Sequence, residues 1–261
     1  MPKEFAPQYE RNEQGWILFP RDSAERKELF PDGVFEHPAK MQLHLTRALI
    51  EYLTEPGDSV LDPFGGTGTT AIGLLMGRNV VLIELESHFI EILVELHKRW
   101  EGRHQQKLYV MAGDCRQVMA DLPFLCDVAI FSPPYALIKG KGFKEADRYT
   151  VEAVKKYIGG PLNMSNLNQF QFVQGMNLVY ERLYAKLVPK ARIAVVTKDT
   201  MKGPERQLLS AQVIKQAGKC GFAFEEWYKW KAPGSMGQAV AHSKGSMVVE
   251  DEDILIFRKE T

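Results

Sequence analysis

The sequence predicts an α/β fold in which helices cover both faces of a mostly parallel sheet. Apolar, strand-like runs alternate with helical segments four times between residues 59 and 131. This alternation is typical of parallel strands joined by crossover helices. A glycine-rich turn follows the first run, where such folds bind ligands. Two apolar runs near the end of the sequence, at 222–230 and 254–257, predict a terminal antiparallel hairpin.

The elements follow one another in a regular order. The predicted strands are 59–61, 79–84, 108–111, 127–131, 192–197, 222–230 and 254–257. The predicted helices lie within 38–53, at 71–76, 87–100, 116–121, 172–187 and 205–217, with a short helical piece at 151–157. Each helix is assigned from apolar residues at helical spacing. Ser87 is the expected N-cap of its helix.

Composition, charge and the lack of long apolar runs argue against several classes of protein. The chain has 261 residues, 45% hydrophobic and 25% charged, with a formal net charge of zero. This balance argues against coating nucleic acid by bulk charge. Three scattered cysteines predict neither a disulfide framework nor a metal site. With no membrane-spanning run and no signal-peptide core, we expect a cytoplasmic protein with no membrane partner.

We expect an arm followed by one domain. Residues 1–36 are polar and mixed, with a single apolar anchor at 16–20, and form the predicted arm. Residues 37–261 form the predicted domain. Within it, residues 136–168 are rich in Gly, Lys and Asn and interrupt the alternation, which predicts a small insertion.

The glycine-rich turn at Asp62–Thr70 predicts a nucleotide or cofactor site. Glycines let the backbone approach a ligand closely, and the start of the next helix offers unpaired N–H groups. The turn lacks the Gly-Lys-Ser/Thr ending of a triphosphate-binding loop. Glu84 ends the second strand, where a carboxylate accepts hydrogen bonds from two ribose hydroxyls; the alternative is a solvated strand end. Asp114 ends the third strand, where it could accept an adenine amine or cap the following helix.

A second motif, Ser132-Pro133-Pro134-Tyr135, follows the fourth strand. Prolines lack an N–H and fix φ, so the turn is stiff and its carbonyls point one way. A plain proline turn is the alternative. Because both motifs end strands of one parallel sheet, we expect them to face the same ligand-binding crevice.

Together the two motifs resemble the S-adenosylmethionine-dependent amino-methyltransferases of DNA, which methylate the exocyclic amine of cytosine (N4) or adenine (N6). Asp62–Thr70 is similar to that family's cofactor loop nearly letter for letter, and Ser132–Tyr135 to its catalytic tetrapeptide. His37-Pro38-Ala39-Lys40 resembles the segment that closes over the methionine end of the cofactor. The resemblance is close over roughly residues 37–135. It implies the Rossmann-like fold of class I methyltransferases, with a seven-stranded sheet.

The resemblance implies S-adenosyl-L-methionine as the cofactor and assigns roles to individual residues. The implied cofactor contacts are His37, Lys40, Asp62, Phe64, Gly65, Gly66, Thr67, Gly68, Thr69, Glu84 and Asp114. The implied catalytic residues are Ser132, Pro133, Pro134 and Tyr135, and no metal is expected. The Ser132 side chain and the Pro133 carbonyl would accept the two amine hydrogens while Tyr135 stacks on the base. No Pro-Cys pair is present, which argues against methylation at carbon 5 of cytosine.

The implied substrate is DNA, either double-stranded with a flipped base or single-stranded. Lys139, Lys141, Lys144 and Arg148 follow the catalytic turn among aromatic residues and are candidate nucleic-acid contacts; a solvated loop is the alternative. A second candidate set includes Lys229, Lys231, Trp227 and Trp230, for which core packing of the tryptophans is favoured.

Several alternatives stay open at this stage. Serine in the first catalytic position favours cytosine N4, with adenine N6 as the runner-up and an RNA base methyltransferase or a non-enzymatic binding relative behind them. Many relatives carry the catalytic turn before the cofactor loop, whereas this chain carries it after. Target recognition is therefore unassigned between 136–168, 231–250 and a second subunit. A homodimer and a partner restriction nuclease also remain open.

Overall fold

The computed structural model describes residues 3–37, 40–134, 162–202, 205–232 and 248–261. Its centre is a seven-stranded sheet in the order β3-β2-β1-β4-β5-β9-β8. The strands of that sheet are β1 Ser59–Asp62, β2 Asn79–Glu84, β3 Leu108–Ala112, β4 Cys126–Phe131, β5 Leu187–Thr197, β8 Phe222–Lys231 and β9 Asp251–Lys259. Strands β1 to β5 pair in parallel, while β9 is antiparallel to both β5 and β8. The predicted sheet with its terminal antiparallel hairpin is confirmed.

The connecting helices complete the α/β arrangement. The α-helices are α1 Ser23–Leu29, α2 Leu43–Leu53, α3 Ser87–Arg99, α4 Cys115–Val118, α5 Gln169–Lys186 and α6 Leu209–Lys219. Short 3₁₀ helices occupy Asp32–Glu36, Thr69–Met76, Met119–Asp121 and Met164–Asn166. A separate two-stranded antiparallel ribbon joins β6 Thr200–Lys202 to β7 Glu205–Gln207. Among the described residues, none of the helices combines the length and apolarity needed to cross a bilayer.

Both faces of the central sheet are buried, because successive side chains of a strand point to opposite sides. In β1, Val60 belongs to one apolar cluster and its neighbour Leu61 to the other. The first cluster includes the N-terminal segment, α2, α3 and Thr69–Met76, and the second includes α4, α5 and α6. Burial on both faces explains why the strands read as nearly continuous apolar runs.

The N-terminal segment packs against the body of the molecule. Phe5 and Ile17 are completely buried. The Ile17 N–H donates to the Lys229 carbonyl (2.9 Å), and the Lys231 N–H donates to the Ile17 carbonyl (3.0 Å). This short pairing covers part of the exposed edge of β8, a position that would otherwise offer unpaired backbone groups. The division into an arm at 1–36 and one domain at 37–261 stays a prediction.

Three local expectations differ from the structure. Ser87 is the first residue of α3 rather than its N-cap, which is Glu86; the Glu84 side chain binds the N–H groups of Leu85 and Glu86, and the helix begins directly after them. The predicted helix at 205–217 begins only at Leu209, since Glu205–Gln207 pair with β6. The helix after the glycine turn is 3₁₀ in geometry. The predicted helical piece at 151–157 lies outside the described residues.

Candidate cofactor and catalytic site

One cleft at the carboxyl ends of β1, β2, β3 and β4 brings the two sequence motifs together. It encloses about 940 Å³ including its open mouth. The predicted site residues that line it are His37, Lys40, Asp62, Phe64, Gly65, Gly66, Thr67, Thr69, Glu84, Asp114, Ser132, Pro133 and Pro134. Tyr135, Lys139, Lys141, Lys144 and Arg148 lie outside the described residues.

The glycine turn is held by its own backbone. The Gly65 N–H donates to the Ile83 carbonyl, and the Gly68 N–H donates to the Gly65 carbonyl, both at 2.8 Å. Gly68 has a φ of +84°, and a Cβ there would lie 2.7 Å from Leu93 Cδ2 of α3. Gly68 does not line the cleft. Gly68 therefore packs against α3, and its predicted cofactor contact stays a prediction.

Asp62 lies at the end of β1, beneath the glycine turn, and is buried. Its Oδ1 accepts from the Phe64 N–H (2.9 Å) and its Oδ2 accepts from the Thr70 hydroxyl (2.6 Å). Burial raises the pKa of Asp62 to about 6, because these two neutral donors only partly replace the lost water. No Lys or Arg among the described residues forms an ion pair with it.

Glu84 joins the end of β2 to the glycine turn. Its Oε2 accepts from the Gly66 N–H (2.6 Å), while Oε1 accepts from the N–H groups of Leu85 (2.8 Å) and Glu86 (2.9 Å). Burial raises the pKa of Glu84, and these backbone hydrogen bonds oppose the shift. A carboxylate offers about four lone-pair directions. Among the described residues, this pattern leaves one lone-pair direction on Oε2 unused, and the predicted contact of Glu84 with ribose hydroxyls stays a prediction.

Asp114 caps α4 and also lines the cleft. Its side chain accepts from the Arg116 N–H (2.9 Å) and from the Arg116 guanidinium, with Nη2 at 2.5 Å. The same Arg116 Nη2 donates to the Leu162 carbonyl (3.0 Å). Asp114 and Arg116 thus fix the wall that Leu162 to Met164 add to the cleft. The capping alternative for Asp114 is observed, and its predicted contact with an adenine amine stays a prediction.

Lys40 gives the opposite side of the cleft a positive charge. Its ammonium Nζ donates to the His37 carbonyl (2.6 Å). Burial and, to a smaller extent, the charge of Arg26 lower the pKa of Lys40 to about 8, while Asp22 partly opposes them. The His37 ring packs against Phe89 with its centroid 4.8 Å away. Lys40 therefore stays mostly charged at neutral pH and adds a positive charge to the lining of the cleft.

The Ser132–Pro134 turn is joined to the glycine turn through aromatic packing. Phe131, the last residue of β4, contacts the ring of Phe64 at 5.9 Å between centroids and that of Tyr180 at 6.3 Å. Ser132 directly follows and is half-buried, while Pro133 is buried. The first three residues of the tetrapeptide therefore line the same cleft as the glycine turn, as the sequence predicted.

Three residues of this region were missed in the sequence. Arg26 of α1 is buried and donates to the Thr69 hydroxyl (3.0 Å). Asn163 lines the cleft and donates from Nδ2 to Glu86 Oε1 (2.9 Å), and Met164 lies beside it. The spacing of Asp22 and Arg26, four residues apart in a helical segment, was the one available signal for Arg26. Asn163 lies far along the chain in an irregular segment, so no local pattern marks it.

The residues of the second candidate nucleic-acid set lie in different environments in the structure. Lys229 donates to the buried carboxylates of Asp251 (2.5 Å) and Asp253 (2.6 Å). Trp230 is buried, as favoured, whereas Trp227 is about half exposed and donates to Asp253 (2.8 Å). Lys229 is therefore engaged in an internal ion pair rather than presented to a ligand.

Comparisons with known proteins agree with this geometry. The sequence model of the family described as DNA methylase matches residues 3–95. A type II methyltransferase from Bacillus subtilis, M.BglI, is 47% identical over 58 residues, which are 22% of this chain and 17% of that protein. A second, M2.MboI from Moraxella bovis, is 43% identical over 58 residues, 22% of this chain and 21% of the relative. The matched segment is thus about a fifth of each relative.

Solved structures support the fold. TehB from Haemophilus influenzae superposes with a TM-score of 0.54 at 11% identity, covering 92% of this chain and 66% of that chain. A SAM-dependent methyltransferase from Methanosarcina mazei gives a TM-score of 0.50 at 13% identity, covering 81% and 96%. The class I methyltransferase fold is confirmed. The family match over residues 3–95 confirms, for the part of the chain that it shares with the predicted resemblance over 37–135, the similarity to the S-adenosyl-L-methionine-dependent amino-methyltransferases of the N4/N6 family.

Proposed function

We propose that this protein transfers a methyl group from S-adenosyl-L-methionine to the exocyclic amine of a base in DNA, with cytosine N4 favoured over adenine N6. One observation carries the proposal: the glycine turn, Glu84 and the Ser132–Pro134 turn line a single cleft. The match to the DNA methylase family and the type II methyltransferase relatives support DNA as the substrate.

The charges in the cleft fit the cofactor. S-adenosyl-L-methionine carries a sulfonium, an ammonium and a carboxylate beside its ribose and adenine. Asp62 and Glu84 are buried carboxylates that suit cationic groups and ribose hydroxyls, and Lys40 suits the carboxylate. When bound, the cofactor supplies a methyl group activated by its positive sulfur.

The catalytic turn acts on the base. An exocyclic base amine is a poor nucleophile because its lone pair is delocalised into the ring. In our proposal the Ser132 hydroxyl and the Pro133 carbonyl each accept one amine hydrogen, which localises that lone pair on nitrogen. Pro133 and Pro134 fix φ, so the acceptors are held in place before the base arrives. Tyr135 is proposed to stack on the base.

Access to the cleft implies a displaced base. The cleft is recessed at the end of the sheet, so a base in a duplex must be flipped out, unless the substrate is single-stranded. Lys139, Lys141, Lys144 and Arg148 remain the proposed backbone contacts. The name "type II methyltransferase" carried by the relatives supports a restriction–modification setting. We also propose a partner nuclease and a homodimer, and these two proposals rest on the sequence alone.

The test is transfer of a labelled methyl group from S-adenosyl-L-methionine to duplex DNA, single-stranded DNA and total RNA. Nucleoside analysis of the product then distinguishes N4-methylcytosine from N6-methyladenine. We expect label in DNA as N4-methylcytosine. The variant Ser132→Ala should lower turnover about 100-fold while cofactor binding survives, since it removes one acceptor at the reacting nitrogen. Ser87→Ala is the matched control, because Ser87 is exposed at the start of α3.

The outcomes separate the alternatives. Label recovered as N6-methyladenine would keep the DNA amino-methyltransferase and replace its base. Label in RNA alone would replace the substrate. Cofactor binding without transfer to any substrate would favour the non-enzymatic relative, and unchanged turnover in Ser132→Ala would contradict the role of the hydroxyl.

A further inference from the structure

Two consecutive threonines at the start of the 3₁₀ helix hold opposite charges beside the cleft. The Thr69 hydroxyl accepts from Nη1 of Arg26 (3.0 Å). The Thr70 hydroxyl donates to Oδ2 of Asp62 (2.6 Å). The glycine turn therefore ends between a guanidinium on one side and a carboxylate on the other, and both side chains are almost completely buried.

Arg26 ties three separate segments together. Its Nε donates to Asp22 Oδ2 (2.8 Å) and its Nη2 donates to the Met41 carbonyl (2.5 Å), while Nη1 reaches Thr69. The same Asp22 oxygen accepts from the Leu43 N–H (2.9 Å) at the start of α2. Met41 and Thr69 both line the cleft. The guanidinium thus fixes the spacing between two walls of the cleft without itself lining it.

Around Arg26 and Lys40, positive charges outnumber the carboxylates that are available to offset them. Arg26 is 2% exposed, and Lys40 lies close enough to feel its charge. Asp22 acts on both cations, whereas the other nearby acid, Glu25, also pairs with Arg47 and with His44 at 3.6 Å. A fully buried guanidinium and a half-buried ammonium that share one close carboxylate are costly to bring together, and an anionic ligand group would relieve that cost.

We propose that Arg26 is a positioning residue which, acting through Lys40 and Thr69, makes this end of the cleft selective for the α-carboxylate of the methyl donor's amino-acid part. This inference rests on the proposed cofactor. The N-terminal helix α1 thereby belongs to the binding site, although it precedes the sequence motif by some forty residues. Arg26 holds the Met41 carbonyl, next to Lys40 in the chain, and the Thr69 hydroxyl in place, and Lys40 contacts the carboxylate.

The test compares S-adenosyl-L-methionine with its decarboxylated analogue by isothermal titration calorimetry. We expect the wild-type chain to prefer the carboxylate-bearing ligand by about 30-fold, the value of a charged hydrogen bond. Arg26→Gln should reduce that preference to about threefold. Arg26→Lys should retain about half of the difference in binding free energy between the two ligands. In steady state, Arg26→Gln should raise the KM for the cofactor with kcat little changed.

Arg99→Gln is the matched control. Arg99 of α3 also contacts α1, through the Glu28 carbonyl (3.0 Å), but that contact involves neither Asp22 nor Glu25. It should keep the full preference. If Arg26→Gln weakens both ligands by the same factor, Arg26 is merely structural and the inference is wrong, while the proposed cofactor stands. If Arg26→Gln does not fold, Lys40→Gln supplies the same comparison, and an undiminished preference there refutes the inference. If the wild-type chain binds neither ligand, the proposed function itself fails.

Discussion

Two groups of buried carboxylates stand at the same edge of the sheet and are stabilised in opposite ways. In the cleft, Asp62 and Glu84 accept hydrogen bonds from backbone N–H groups and a threonine hydroxyl. Beyond β5, an ion-pair cluster consists of Asp199, Arg206, Lys229, Asp251 and Asp253. Arg206 donates to Asp199 and Asp251, each at 2.8 Å, and Lys229 donates to Asp251 and Asp253.

Their pKa values follow this difference. Burial raises the pKa of Asp62 and of Glu84. Burial also acts on Asp251, but hydrogen bonds from Arg206 and Lys229 outweigh it and leave its pKa below the usual value. A buried carboxylate that already has its cation supports the scaffold, whereas one without a cation is suited to a positively charged ligand. The contrast locates the binding site more sharply than burial alone.

The largest effect is expected from Glu84→Ala. It removes the proposed acceptor for a ribose hydroxyl and leaves three backbone N–H groups without their acceptor, including that of Gly66 in the glycine turn. We expect the dissociation constant for S-adenosyl-L-methionine to rise roughly 100-fold, which titration calorimetry would measure. Asp199→Ala in the ion-pair cluster is the control and should leave that constant unchanged. An unaltered dissociation constant in Glu84→Ala would remove Glu84 from the site.

The next effect is expected from Asp251→Asn. The amide cannot neutralise Arg206 and Lys229, so two partly buried cations lose a counter-charge. Both cations are about one-third exposed, so solvent screens part of the loss, and we expect the free energy of unfolding to fall by about 2 kcal/mol. Urea unfolding measures this change. Cofactor affinity should stay the same, and a parallel loss of affinity would show that the cluster belongs to the site.

The corresponding substitution in the cleft, Asp62→Asn, should have the opposite effects on stability and on cofactor affinity. The folded-state pKa of Asp62, about 6, lies above the ordinary 3.8, so ionisation of Asp62 lowers the stability of the folded protein as the pH rises from 3.8 to 6, and the full cost is present above pH 6. Asp62→Asn removes that cost and keeps an acceptor for the Phe64 N–H. At pH 7.5 we expect no loss of unfolding free energy and a roughly 20-fold weaker cofactor affinity. A destabilised protein with unchanged affinity would reverse the comparison.

The sequence predicted the sheet and most of the cleft because both depend on short-range patterns. Apolar runs marked each strand, and the glycines of the turn and the Ser132–Tyr135 motif marked two strand ends that a parallel sheet brings together. Arg26 and Asn163 were missed because their roles depend on contacts with Thr69 and Glu86, which lie 43 and 77 residues away in the chain. The distinction between Lys229 and Lys40, one paired and one beside a second cation, likewise exists only in three dimensions.

The smallest effect concerns Lys40 and its pH dependence. Burial, then Arg26, hold its folded-state pKa near 8, below the ordinary 10.5, while Asp22 opposes them. The unfolded chain therefore keeps a proton that the folded chain has lost between pH 8 and 10.5, so stability should rise with pH through that window. Lys40→Met should abolish this rise and stabilise the ligand-free protein at pH 7.

If Lys40 binds the cofactor's carboxylate as an ammonium, the affinity for the cofactor should fall about fourfold from pH 7 to 8.5. The cofactor's own amine titrates equally for both proteins, so the difference in slope between wild type and Lys40→Met isolates the lysine. Equal slopes in the two proteins would show that Lys40 does not bind the carboxylate.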